Sequence, residues 1–175
     1  IDLSEPTNPQ ILGELKIPGY STYLHPYDET HIIGFGYDTK EDGTNIITNG
    51  LKMVMFDVSD LTKPKELFKV VIADRNTTSE LIYNHKALLY SKEKNIIAFP
   101  LNTYTRNGNY TRAAIYDIDL EKGFTLKGEI KNEYANSNKI VQRIIYVNNV
   151  YYTLSKTLIK AADMDTLQVI KEIEI

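Results

Sequence analysis

Short apolar runs recur along the chain, separated by clusters of Asp, Asn, Ser, Thr, Gly and Pro, which is the punctuation of strands and turns rather than of helices. Met53-Val54-Met55-Phe56 is apolar at every position, as a strand covered on both faces must be. Ile11, Leu15 and Ile17 instead share one side of an alternating segment whose other side carries Glu14 and Lys16. Three further runs, HIIGFG (31–36), NIIAFP (95–100) and NVYYTL (149–154), each begin on a turn residue. Each is preceded by another apolar stretch: STYLHP (21–26), KALLYS (86–91) and RIIYVN (143–148). The pattern predicts strands over about 20–26, 31–37, 50–58 and 65–72, then 80–90, 95–103, 110–118 and 124–130, then 140–147, 150–155, 158–164 and 167–174. Residues 79–90 (SELIYNHKALLY) also fit an amphipathic helix, with Ser79 as its N-cap and Leu81, His85 and Leu88 along one stripe. The repeat register favours the strand.

These runs belong to an internal repeat. IDLSEPTNPQILGELKI (1–17) returns as FDVSDLTKPKELFKVVI (56–72), more loosely as YDIDLEKGFTLKGEI (116–130), and in worn form as ADMDTLQVIKEIEI (162–175). Each copy joins a strand end bearing an acid to a polar turn and a second strand. The acids Asp2, Asp57, Asp117 and Asp163 stand 55, 60 and 46 residues apart, too far for one hairpin and in the range of a propeller blade. The expected fold is all-β: a β-propeller fragment of about three and a half four-stranded antiparallel blades, namely 1–17 as the outer half of a blade and 18–73, 74–132 and 133–175 as whole ones. Because the first residue falls inside an expected strand, the chain is expected to be part of a longer polypeptide. Two copies would supply enough strands for seven blades, but two outer halves do not make one sheet. The missing inner strands are therefore expected upstream, and the isolated segment is expected to self-associate.

Composition narrows the functional classes. A net charge of −3 and a pI near 5.7 lack the basic footprint of a nucleic-acid binder. No apolar run approaches the roughly 18 residues of a membrane span. With no cysteine, the chain has no disulfide, thiol nucleophile or zinc–thiolate site. G-x-S-x-G, a Gly-rich phosphate loop and H-E-x-x-H are likewise missing.

The segments IDLSEPTNPQILGELKIPGYSTYLHPYDETHIIGFG, GLKMVMFDVSD and IADRNTTSELIYNHKALLY resemble a prokaryotic family of secreted proteins. Those proteins carry a C-terminal β-propeller distantly related to WD repeats, longer than this chain. Members usually have Gly where this chain has Ala73 and Asn76, and Asp where it has Asn84. The resemblance implies the propeller fold and an export route, hence a secreted or cell-surface location; it implies no reaction.

Candidate chemistry is sparse. His25, Asp28 and His31 (HPYDETH) offer metal-ligand types, but they fall on a predicted turn and structural zinc takes four ligands. His25 and His85 each precede a repeated acid by 32 residues, a coincidence of compensating loop lengths once HIIGF is aligned with NIIAF. Asp38, Asp42 and Gly43 (DTKEDGTNIITN) suggest a calcium loop, yet Lys40 and Asn49 occupy positions that need oxygen ligands and a bidentate Glu. Asp2, Asp57 and Asp117 are expected to cap turns, because a feature present in every unit serves folding. Asp74, Arg75, Ser79, His85 and Lys86 are expected to form an ion-paired crossing between blades, with a ligand contact at the propeller face as the alternative. Asn76-Thr77-Thr78 and Asn109-Tyr110-Thr111 are glycosylation acceptor triplets. Tyr104 to Tyr110, rich in Asn and Thr, would suit glycan or protein contact.

The expected role is that of a non-enzymatic binding or scaffold module of an exported or cell-surface prokaryotic protein, without metal or cofactor. Its partners would be the remaining blades of the same polypeptide and a protein or glycan ligand, with neither nucleic acid nor a transmembrane segment involved. The alternative is a propeller enzyme of hydrolase or lyase type whose active site draws on other blades.

Overall fold

The computed structural model describes residues 1–106, 108–132 and 137–175. These fall into two compact units, residues 1–72 and 73–175, built from antiparallel sheets of four or five strands.

The first unit holds the sheet β1 (Tyr20–Pro26), β2 (His31–Asp42), β3 (Asn45–Asp57) and β4 (Lys65–Ala73), paired in chain order. Its centre is apolar on both faces, with Ile33 opposite Met55 and Phe35 opposite Met53, all fully buried. The pair β2–β3 is longer than the apolar pattern suggests. Asp42 pairs with Asn45 around Gly43 and Thr44, so residues expected in a loop extend the ladder instead. Residues 1–17 depart further from expectation. They contribute one isolated bridge, Asp2 to Gln10, and residues 11–17 lie in no strand. A strand needs a neighbour for its ladder, and none flanks this segment. Leu15 and Ile17 still fold back to line a cavity with Tyr20, Leu24 and Phe56.

The second unit holds two sheets. In one, β7 (Ile96–Thr105), β8 (Gly108–Asp119) and β9 (Gly123–Asn132) form a regular meander. The single inner strand expected over 80–90 is replaced by two fragments on the same edge of β7: β5 (Thr77–Thr78), with Thr77 opposite Thr103, and β6 (Leu89–Ser91), with Leu89 opposite Ala98. Between them run two 3₁₀ turns, Glu80–Ile82 and His85–Ala87, rather than a strand or an α-helix. Pro100 explains the gap. Its carbonyl accepts the Ser79 hydroxyl at 2.5 Å on that edge. In an extended strand the nitrogen and carbonyl of one residue point the same way, so the ladder donor missing from proline is also on the inner edge. Ser79 and Asn84 then cap the two turns by accepting the N–H groups of Leu81 and Lys86.

The other sheet runs β10 (Arg143–Val147), β11 (Val150–Leu154), β12 (Leu158–Asp163), β13 (Val169–Glu174). It packs on the β7–β9 sheet through Ala98, Ala113, Ile115, Ile130, Ile144, Tyr151 and Ala162. Leu167, held at φ 58°, joins this core beside Gly128, where a Cβ would stand 2.5 Å from the Leu167 Cδ1. The expected start of the last blade at residue 133 lies outside the described residues, as does Asn107 within the Tyr104–Tyr110 stretch.

Candidate functional site

The repeated acids act on backbone. Asp2 accepts the N–H of Ser4 at 2.9 Å, Asp57 that of Ser59 at 2.8 Å, and Asp163 those of Asp165 and Thr166 at 3.0 and 2.8 Å. In the third copy the capping carboxylate is not Asp117 but Asp119, which accepts from Glu121 at 2.7 Å and Lys122 at 2.9 Å. The cause is strand length: β8 continues past Asp117, which still pairs across to Ile96, and turns at Asp119 opposite Gly123. Hydrogen bonds from Ser4, Ser59, Glu121 and Thr166 hold Asp2, Asp57, Asp119 and Asp163 below the usual carboxylate range.

The crossing residues do not assemble into one cluster. Asp74 turns onto its own loop, accepting from the Asn76 N–H at 3.0 Å and the Thr77 hydroxyl at 3.3 Å. Ser79 is buried against Pro100, while Arg75, His85 and Lys86 are exposed. Among the described residues no ion pair joins Asp74 to Arg75 or Lys86; hydrogen bonds accepted by Asp74 and donated by Ser79 order the crossing instead.

The histidines are similarly dispersed. His31 Nδ1 meets Asp28 at 2.8 Å in an exposed pair, and His25 Nδ1 meets the Tyr23 hydroxyl at 2.9 Å. Burial lowers the His25 pKa. Among the described residues no group of three or more His, Asp or Glu side chains is arranged to hold a metal ion. Asp38, first residue of the calcium-like string, is buried and takes Asn49 at 2.9 Å and Lys69 at 3.4 Å; Asp42 and Gly43 lie at the far end of the hairpin.

Two buried polar groups had no sequence signal. Lys52, only 1% exposed, sits in the apolar run of β3 and donates to the Pro18 carbonyl. Burial lowers its pKa, opposed by the charge of Asp38. Gly19 permits this approach: at φ 80° its missing Cβ would lie 2.1 Å from the Tyr37 carbonyl oxygen. In the second unit Arg112, 7% exposed, donates to Glu129 at 2.6 Å and Thr103 at 2.7 Å and stands 5.1 Å from the Tyr110 ring centroid. Alternating apolar strands hide such residues because their partners, Pro18 for one and Glu129 for the other, come from other strands or loops.

At the turn end of the β7–β8 hairpin the same unit holds a cavity of about 290 Å³, bordered by Asn102, Tyr104, Asn109, Tyr110, Thr111 and Ile140. Among the described residues no charged side chain lines it. Its described lining is mostly Asn, Thr and Tyr side chains.

A family profile described as a β-propeller domain matches residues 1–167. The chain is 34% identical over 99% of its length to an uncharacterized protein of Methanocaldococcus jannaschii. It is 31% identical over its full length to an uncharacterized protein of Archaeoglobus fulgidus. It spans about a quarter of the length of these curated relatives, 24% of each.

Proposed function

The chain belongs to the β-propeller domain family, and on that premise we propose that it is a run of blades in a larger propeller, serving as a binding or scaffold module of an exported protein. The blades would be residues 18–73, 74–132 and 133–175, with 1–17 completing a blade begun upstream.

One observation carries this reading. In the β10–β13 sheet, side chains alternate between two faces. Ile144, Tyr151 and Ala162 point into the core, and the opposite face carries Ile145, Val147, Val150, Tyr152, Ile159 and Ile173 across all four strands. Ile145, Val147 and Ile173 are exposed, and the face borders a cavity of about 310 Å³. In the first unit Tyr20 and Leu24 are more than half exposed above a cavity of about 530 Å³ lined by Ile32, Phe56 and Val58. A contiguous apolar face is a surface awaiting a partner, and a neighbouring blade of the same polypeptide is the partner whose shape and chemistry fit.

Export is supported by the resemblance of three segments to secreted prokaryotic proteins whose propellers are distantly related to WD repeats. Asp2, Asp57, Asp119 and Asp163 are committed to turns, and Lys52 and Arg112 to neighbouring side chains or carbonyls, which supports binding over turnover. Protease shaving of intact cells producing the full-length protein, followed by fractionation, tests the reading. The account expects the propeller to be cleaved from outside, and the purified protein to turn over no substrate in a hydrolase and lyase panel. A protein confined to the cytosol, or measurable turnover lost on mutation within the propeller, would overturn it.

A further inference from the structure

We propose that the cavity at the end of the β7–β8 hairpin is a binding site for one ring of a neutral saccharide, an inference that rests on the reading of the protein as a binding module. A metal ion needs carboxylate or imidazole ligands, and among the described residues the lining has neither. An anion needs an available cation, and the nearby Arg112 is turned away onto Glu129 and Thr103. A purely apolar ligand would leave a polar atom stranded: Asn102 Oδ1 is buried and has no hydrogen-bond partner among the described residues.

What the cavity offers matches a hydroxyl, the group that both donates and accepts. Asn102 Oδ1 lacks a donor and would be met by a sugar hydroxyl, directly or through one bridging water. Thr111, opposite Asn102 on the neighbouring strand, accepts the Val141 N–H at 3.1 Å and so keeps its own O–H proton to donate. Asn109, exposed at the rim, carries both an amide donor and an amide acceptor. Tyr104, 48% exposed, offers its ring to the C–H face of a pyranose, while Tyr110, 38% exposed, gives its ring to the Arg112 guanidinium. At about 290 Å³ the space lies at the small end of ligand cavities, right for a single ring rather than an enclosed chain.

The test is saturation-transfer NMR and calorimetry on the full-length protein with glucose, galactose, mannose and N-acetylglucosamine, each as the free sugar and as a short oligosaccharide. The proposal expects at least one to bind in the millimolar range or tighter, and binding to weaken by about tenfold or more in both Asn102→Ala and Tyr104→Ala. The melting temperature of Asn102→Ala should fall only slightly, because the buried Oδ1 it removes has no partner to lose. Binding of the free sugar points to a soluble ligand and binding of the oligosaccharide alone to a glycan; either supports the site. The proposal is overturned if none binds at about 20 mM. It is equally overturned if binding survives both substitutions, or if glucuronate or another acidic sugar binds in preference. A protein that is exported and catalyses nothing, yet binds none of these sugars, would end this proposal while leaving the binding-module reading intact.

Discussion

Ser79→Ala is the substitution that bears most directly on how the second sheet is built. The Ser79 hydroxyl, in a residue 3% exposed, donates to the Pro100 carbonyl at 2.5 Å and accepts from the Leu81 N–H at 3.2 Å. It thereby bridges the place where proline interrupts the inner edge of β7. Alanine removes both bonds and leaves two main-chain groups without partners in a region closed to water. A stranded buried group costs about 1–3 kcal/mol, and loss of a helical cap overlaps with the second of them, so the net loss should be about 2–4 kcal/mol. Urea unfolding should show a lower midpoint with an unchanged slope, since the surface exposed on unfolding stays the same. Hydrogen exchange should accelerate at Leu81 and Ile82. Ser79→Thr, which keeps the hydroxyl, should recover most of the loss. A midpoint shift below about 0.5 kcal/mol with unchanged exchange at Leu81 would refute the bridging role.

Three further outcomes follow from the same geometry. Gly19→Ala should destabilise the first unit severely, because at φ 80° its Cβ would meet the Tyr37 carbonyl oxygen at 2.1 Å; Gly43→Ala, at φ 62° in open space, should cost only about 1–2 kcal/mol in a thermal melt. Asp119→Ala should lower the melting temperature through loss of the Glu121 and Lys122 bonds, whereas Asp117→Asn should leave it unchanged; equal effects would contradict the assignment of the cap. Burial holds His25 below its usual 6.5, so the unfolded chain takes up the proton first. Stability should then fall as pH drops below about 6.5 and level off beneath the folded-state pKa, and His25→Gln should flatten that part of the melting-temperature profile.

The first and last sheets are almost legible in the sequence, because alternation and turn residues act locally: β1 runs over Tyr20–Pro26 and β11 over Val150–Leu154, where the apolar pattern puts them. The extension of β2 and β3 is not legible. Asp38–Asn49 reads as loop, but a ladder is made by backbone groups and tolerates polar side chains once its base is fixed. The broken inner strand did leave a signal in Pro100, a residue that cannot donate to a central ladder, and the repeat register outweighed it. Asp119 caps in place of Asp117 because the third repeat turns two residues later than the others. The polar interior followed no local rule: Lys52 is held by Pro18, far off in sequence, and Arg112 by a diagonal partner on β9. The hairpin-end cavity is legible only as a stretch rich in Tyr, Asn and Thr, since Ser137 and Ile140 join its lining from beyond the hairpin.

The central claim is that other blades cover the apolar faces of this chain, and hydroxyl-radical footprinting tests it most directly. Tyr20, Leu24, Tyr152 and Ile173 would be followed in the full-length protein and in the isolated segment 1–175. The account predicts that all four are protected in the full-length protein and oxidised in the segment, unless the segment shields them by associating with itself, which light scattering at the same concentration would show. Equal oxidation of these residues in the full-length protein and in a monomeric 175-residue segment would contradict it.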